Sequence, residues 1–291
     1  MKTNAIRINE YGGPEVLDYC EIDLPELKSG EARIRHNAIG LNFIDTYHRS
    51  GLYPMPLPTG LGSEAAGVVE EIADDVTVVK VGDRVVYTGR PADSYSEQRN
   101  FDANQLVPIP DGISFEQAAA LLLKGLTAWY LLRKSYAVKT NDDILLHAAA
   151  GGVGLIASQW ASHLGANVIG VVSTPEKAEL ALAHGCSEII MVDEDVAKKV
   201  LKLTNGKGVS AVYDSIGKNT FISSLNSLKP HGVMVTFGNA SGPVDPFAPS
   251  ELASRHSLYV TRPILADFIN TREKLLHGAQ ELFDLVVQGI I

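Results

Sequence analysis

His147-Ala148-Ala149-Ala150-Gly151-Gly152-Val153-Gly154 leaves an apolar run at Ile144 to Ala148 and enters a segment whose Ile156, Trp160 and Leu164 recur every fourth residue. A strand passing through a glycine turn into a helix is the setting a dinucleotide fingerprint requires. In the spacing G-x-G-x-x-G, the second and third glycines fall on Gly151 and Gly154, and Ala149 stands in for the first. The middle glycine lets the backbone approach a diphosphate, and the last lets the helix pack closely on its strand. The unpaired N–H groups of the helix start, reached through Gly152 and Val153, then receive the anion. A plain tight turn in an α/β protein is the alternative, and the residues around the motif decide between them.

No Asp, Glu, Lys or Arg occurs from Ile144 to Pro175, a stretch long enough to raise a membrane span. Its glycines, together with His147, Gln159, His163 and Asn167, are poor material for one apolar helix in lipid, so no membrane insertion is expected. Strands buried on both faces of a parallel sheet explain the run better. Downstream, apolar strands at Val168 to Val172, Ile189 to Val192, Ala211 to Asp214, Val233 to Phe237 and Leu258 to Thr261 alternate with helical candidates at 153–164, 175–184, 194–204 and 219–228. Six strands joined by crossovers predict a doubly wound, Rossmann-type α/β sheet. Upstream, β-type runs at Glu31 to Ile39, Ala65 to Ile72 and Arg84 to Tyr87 lie between glycine- and proline-rich turns and predict a β-rich domain. Ser114, with Gln117 three residues on, forms a capping-box signal for a helix running to Leu132 that carries the chain between the two.

The end of the second strand decides which dinucleotide fits, because a carboxylate there would accept hydrogen bonds from the ribose hydroxyls of NAD. Here Val172 is followed by Ser173-Thr174-Pro175-Glu176-Lys177, with no carboxylate at the tip. Thr174 reads as an N-cap with Pro175 at the first helical position. Lys177 then falls in the first turn, where the helix dipole disfavours a cation by about 0.3–1 kcal/mol. A phosphate would answer that charge, so Ser173, Thr174 and Lys177 point to the 2′-phosphate of NADPH. The other reading makes Lys177 a solvated lysine beside Glu176.

At 291 residues, the chain is long enough for two domains. A net charge of −9 gives no basic footprint, so no nucleic-acid partner is expected. The two cysteines, Cys20 and Cys186, are too few for a disulfide framework, and the N-terminal residues lack the apolar core of a secretory signal. Both features lead us to expect a cytoplasmic protein.

AAAGGVG, GLYPMPLPTGLGSEAAGVV (Gly51 to Val69), VGDRVVY (Val81 to Tyr87), KGLTAWYLL (Lys124 to Leu132) and VMVTFGNASG (Val233 to Gly242) together resemble the zinc-free quinone oxidoreductases of the medium-chain dehydrogenase/reductase superfamily, the group related to zeta-crystallin. The resemblance spans essentially the whole chain. It implies a GroES-like catalytic domain over 1–123, a Rossmann NADP-binding domain over 124–262, and a return to the catalytic domain over 263–291. It also implies an active site in the cleft between the domains and a homodimer formed through the sheet edge around Ser257 to Pro263. The zinc-ligand positions of the superfamily's alcohol dehydrogenases are occupied by Asn42 and Ser63, so no metal is expected. The expected reaction is then transfer of reducing equivalents from NADPH to a small quinone, which accepts a hydride without a Lewis acid.

By the same resemblance, Asn42, Asp45, Tyr47 and Tyr53 are the candidate catalytic residues. Asn42 or a tyrosine hydroxyl would hold the acceptor oxygen, while Asp45 has an alternative role as a helix cap. Asn42, Thr127, Tyr130, Phe237, Gly238, Asn239, Ser241, Ile264 and Leu265, the last two beside Arg262, are carried over as cofactor contacts. Two departures stand out. Val192 replaces a tyrosine that lies against the 2′-phosphate region in close relatives, and the chain stops at Ile291 where they continue for roughly thirty residues. An α,β-unsaturated ketone or aldehyde is the alternative substrate, and a non-catalytic crystallin-like or RNA-binding protein is the reading from another class.

Overall fold

The computed structural model describes residues 1–291, which divide into two compact units, Met1–Leu123 with Ile269–Phe283, and Lys124–Phe268 with Asp284–Ile291. In the first unit, β1 (Lys2–Ile8) lies between β2 (Asp18–Asp23) and the short β4 (Thr59–Gly60). A five-stranded antiparallel sheet follows the order β7-β3-β5-β6-β8, built from β3 (Glu31–Ile39), β5 (Glu64–Ile72), β6 (Arg84–Thr88), β7 (Gln98–Asp102) and β8 (Val107–Pro108). Ala32, Ile34, Ala65, Val69, Val85, Tyr87 and Phe101 form its core. Helix α1 (Phe43–Ser50) is inserted between β3 and β4.

α2 (Phe115–Tyr130) leads out of this unit. Its start is the reciprocal box expected from the sequence, since the Gln117 N–H donates to Ser114 Oγ at 3.2 Å and the Ser114 N–H donates to Gln117 Oε1 at 2.9 Å. A single wide turn over Leu131–Ser135 then ends the helix.

The second unit carries one parallel sheet of β9 (Asp143–His147), β10 (Asn167–Val172), β11 (Glu188–Met191), β12 (Val209–Asp214), β13 (Leu228–Thr236) and β14 (Tyr259–Thr261), in the order β11-β10-β9-β12-β13-β14. Counted from β9, that order is 3-2-1-4-5-6, the doubly wound arrangement. α3 (Gly152–His163), α4 (Pro175–Ala183), α5 (Val196–Leu203) and α6 (Phe221–Asn226) are the crossovers. The short α7 (Ser250–Ser254) and α8 (Leu265–Phe268) follow, and α9 (Arg272–Val287) ends the chain. Every residue of β12, and Ile144 to His147 of β9, is buried, which accounts for the long uncharged stretch. No helix is long and apolar enough to cross a membrane.

Three boundaries differ by more than two residues from the sequence expectation. β13 begins at Leu228 rather than Val233, because His231 takes a positive φ of 62° inside it and Pro230 and Gly232 carry turn signals within a strand. The second unit extends to Phe268, whose ring stacks on Tyr130 with centroids 4.9 Å apart and planes 6° apart. The return to the first unit spans only Ile269–Phe283, with Asp284–Ile291 falling in the second unit, and near its start Arg272 Nη1 donates to the carbonyls of Ala103, Asn104 and Leu106.

Candidate functional site

The glycine turn begins with strain. Ala148 has φ +53°, a conformation a β-carbon disfavours, and the Gly151 N–H closes the turn on its carbonyl at 2.8 Å. At the third glycine position the reason for the residue is steric, because a β-carbon on Gly154 would lie 2.3 Å from Ala148 O and 2.6 Å from Ala149 O. α3 can therefore pack on the end of β9 only without a side chain there. The missing first glycine is also explained. A β-carbon on Gly170, in neighbouring β10, would lie 2.8 Å from Ala149 Cβ, so the methyl at 149 occupies room left by the glycine at 170. Gly151 itself has φ −81° and ψ 172°, open to any residue, and is exposed with Gly152 at the helix start. The Lys124 stem lies over Gly152, with Cδ 2.8 Å from where a β-carbon would be.

At the end of β10, Thr174 caps α4 by accepting the Lys177 N–H at 3.3 Å, with Pro175 next in line. Lys177 Nζ turns back to donate to Ser173 Oγ at 3.1 Å. The three residues named from sequence therefore meet at the strand tip beside the glycine turn. The Glu176 carboxyl is held below its usual range by hydrogen bonding from the Thr174 hydroxyl and then by its own backbone N–H, so it remains charged there. Val192 follows β11, 58% exposed, with its N–H donating to Val172 O at 3.0 Å.

Beyond β13, residues 237–242 fold over the end of β12. The Phe237 N–H donates to Asp214 O at 2.8 Å, and Ser241 Oγ accepts from the Asn219 N–H at 3.0 Å while donating to Ile216 O at 2.9 Å. Gly238 is required by that contact, because a β-carbon would sit 2.3 Å from Ser215 O. Arg262 Nη1 donates to Gly238 O at 3.2 Å. Asn239 is half-buried in the same turn, Ile264 is exposed and Leu265 half-buried at the start of α8. Thr127 and Tyr130 are both buried on α2, Tyr130 against Phe268.

In the first unit, Asn42 and Asp45 open α1. Both are buried, and the Asp45 carboxylate accepts from the Asn42 N–H at 3.1 Å, Ser63 Oγ at 2.8 Å and the Tyr95 hydroxyl at 2.9 Å. Burial, and then the Asp45 charge, push the Tyr95 phenol well above its usual range, so it stays a proton donor to Asp45. Asn42 Nδ2 donates to Glu64 Oε2 at 2.8 Å, and the Leu123 N–H donates to Glu64 Oε1 at 2.6 Å. A carboxylate only accepts, so the Asn42 amide has its nitrogen fixed toward Glu64. Asp45 thus makes the return contact of a capping box, to the N–H of the N-cap residue Asn42. Tyr47 and Tyr53 are half-buried and meet edge to face with ring centroids 5.1 Å apart, and Phe43 packs on Tyr47 at 5.3 Å. Sequence reasoning missed Glu64, Gly170 and Phe268. The Ser63-Glu64 pair offered a signal for the first, but the other two become visible only as spatial neighbours.

Residues 28–111 match the alcohol dehydrogenase GroES-like domain family, and residues 152–280 match the zinc-binding dehydrogenase family. The residues at the zinc-ligand positions do not fit that metal. Asn42 and Ser63 are tied into the carboxylate network, and no three His, Cys, Asp or Glu side chains gather in a way that could hold an ion. Over 288 residues the chain is 54% identical to a quinone oxidoreductase of Pseudomonas aeruginosa, covering 98% of this chain and 89% of that protein. It is 44% identical to a 2-haloacrylate reductase of a Burkholderia species, covering 99% and 89%. The crystal structure of Escherichia coli quinone oxidoreductase complexed with NADPH superposes with a TM-score of 0.97 at 48% identity, covering 99% of this chain and 89% of that one.

Proposed function

Because the chain belongs to the quinone oxidoreductases of the medium-chain dehydrogenase/reductase superfamily, we propose that it is an NADPH-dependent quinone reductase that works without a metal. The observation that carries the cofactor choice is the Ser173–Lys177 pair at the tip of β10, where no carboxylate stands to accept ribose hydroxyls. When bound, NADPH supplies the hydride that the quinone accepts.

The chain's own residues bind and orient. The N–H groups of Gly152 and Val153 take the diphosphate at the start of α3, which the bare, exposed backbone of Gly151 lets approach, with Ala149 and Gly154 shaping the turn. Ser173, Thr174 and Lys177 take the 2′-phosphate, while Val192 adds only apolar contact. Thr127, Tyr130, Phe237, Gly238, Asn239, Ser241, Ile264, Leu265 and Asn42 position the nicotinamide end. Tyr47 and Tyr53 are the hydroxyl donors for the acceptor oxygen, because the nitrogen of Asn42 is directed to Glu64 and Asp45 serves as the cap.

A 2-haloacrylate, an activated alkene of another kind, is the second substrate reading, favoured by the reductase 44% identical to this chain. β14 pairs on one side only and carries Tyr259 at 60% exposure, so this edge is our proposed dimer seam, readable as a doubled mass in light scattering. We place the protein in the cytoplasm, in keeping with its two unpaired cysteines. Fluorescence titration of wild type and Lys177→Ala with NADPH and NADH tests the central reading. The substitution weakens NADPH by about 1–2 kcal/mol, roughly 5- to 30-fold, as expected for loss of an exposed charge-assisted contact, and leaves NADH unchanged. Equal weakening of both cofactors, or of neither, removes Lys177 from the 2′-phosphate site.

A further inference from the structure

We propose that His147, Ser224 and Asp214 form a buried positioning device that sets the gap between the diphosphate turn and the wall that receives the nicotinamide end. The inference rests on the NADPH reading above and adds to it three residues with no direct ligand contact.

β9 and β12 are neighbours at the point where the strand order reverses, which is where doubly wound sheets open a crevice for a dinucleotide. Their ladder runs through Ala211↔Ile144, Val212↔Leu145 and Tyr213↔Leu146 and stops there. On the outer sides pairing continues one residue further, Val171 with His147 and Asp214 with Thr236. His147 and Asp214 are therefore the first positions at which the two central strands part, and side chains take over from the backbone.

The takeover runs through hydrogen bonds of Asp214 and Ser224. Asp214 Oδ1 accepts the N–H groups of Ile216 at 2.8 Å and Gly217 at 3.1 Å, while Oδ2 accepts the hydroxyls of Thr220 at 2.7 Å and Ser224 at 2.8 Å. The one proton of Ser224 is committed to that carboxylate, so its oxygen accepts from His147 Nε2–H at 3.0 Å, which fixes the histidine tautomer. Burial lowers the His147 pKa, against the opposite pull of Asp214 4.0 Å away, and keeps the ring neutral. His147 is 2% exposed, and Ser224 and Asp214 are 0% exposed, so this Ser–His–Asp arrangement cannot meet a substrate and acts only through position.

Each end of the link leads into one wall of the crevice. His147 is followed directly by Ala148 at φ +53° and the glycine turn. Asp214 roots the segment that holds residues 237–242, through Phe237 N–H to Asp214 O at 2.8 Å and Ser241 N–H to Ile216 O at 2.8 Å. Breaking the link at Ser224 frees one wall from the other. The turn stays attached to β10 by the Ala149 N–H donating to Val171 O at 3.2 Å.

The test compares two ligands on full-length Ser224→Ala, Ser224→Thr and wild type by calorimetric titration, using NADPH, which spans both walls, and 2′,5′-ADP, which reaches the turn and the Lys177 pocket alone. Expected for Ser224→Ala is a rise of at least fivefold in the Kd for NADPH, with that for 2′,5′-ADP within twofold of wild type. Ser224→Thr, which keeps the hydroxyl, restores NADPH binding. Should Ser224→Ala not fold, His147→Gln reads the same ratio. Equal weakening of both ligands, no change in either, or identical behaviour of the Ala and Thr variants overturns the proposal. A wild type that binds 2′,5′-ADP and NADPH equally poorly refutes the NADPH reading instead.

Discussion

Two glycines three residues apart are expected to answer to different masters. Gly151→Ala adds a methyl to a residue at φ −81° and ψ 172°, where the nearest heavy atom would be Ala148 O at 3.1 Å. A shift of a few tenths of an ångström accommodates it, so unfolding free energy falls by no more than about 0.5 kcal/mol. On the proposed reading, the same methyl projects where a diphosphate approaches the backbone. Losing one charge-assisted N–H contact costs about 1.5–3 kcal/mol, or roughly 10- to 150-fold in Kd. Gly154→Ala has the opposite profile. Its β-carbon would lie 2.3 Å from Ala148 O, so the helix start must retreat by about an ångström, and overpacking of that kind costs about 1–3 kcal/mol of stability. Thermal unfolding of the apo proteins and NADPH titration separate the two. If Gly151→Ala loses stability as much as Gly154→Ala does, or binds NADPH as well as wild type, the assignment of the middle glycine to cofactor approach is refuted.

Further outcomes are expected in the first unit. Asp45→Asn replaces a buried carboxylate that accepts three hydrogen bonds, and should destabilise this unit by about 2–3 kcal/mol in denaturant unfolding. A variant that folds with native stability but loses turnover would instead make Asp45 catalytic. Tyr53→Phe or Tyr47→Phe should lower kcat/KM for a quinone by about 10- to 100-fold while the Kd for NADPH is unchanged, and stopped-flow reduction at saturating cofactor reads this directly. His36 donates from Nδ1 to Ser96 O at 2.6 Å and accepts the Tyr87 hydroxyl at Nε2 at 2.9 Å, and burial lowers its pKa to about 4. Its unfolded form protonates near pH 6.5, so stability present above that pH is lost as pH falls toward 4, by about 3 kcal/mol in all. His36→Gln should flatten that slope in urea titrations run from pH 7 to pH 4.

Local pattern carried much of the fold because its signals are short-range. The Ser114–Gln117 box, the Thr174-Pro175 start of α4 and the apolar runs of β9, β10 and β12 each depend on neighbours within a few residues. The first unit was less legible, since β1, β2 and β7 mix polar and apolar residues and gain their identity from partners distant in sequence. Arg33 of β3 is an example, buried against Asn100 and Glu71. The candidate site divides in the same way. Its glycine turn and lysine pocket are contiguous segments, whereas Asn42 with Glu64, Tyr130 with Phe268, and His147 with Ser224 are pairs that no window of sequence contains.

The amino-acid order by itself determined that a strand would turn through Gly151 and Gly154 into a helix, with hydroxyls and a lysine following the next strand, because periodicity, capping and glycine sterics are local properties. Only the tertiary structure decided that an alanine could hold the first fingerprint position, since the room for its methyl comes from Gly170 on the adjacent strand. It also decided that Asp45 would close a capping box on Asn42, and that the two central strands would be joined past their ladder by Ser224, because hydrogen bonds of buried groups are settled by which partners the packed chain brings within reach.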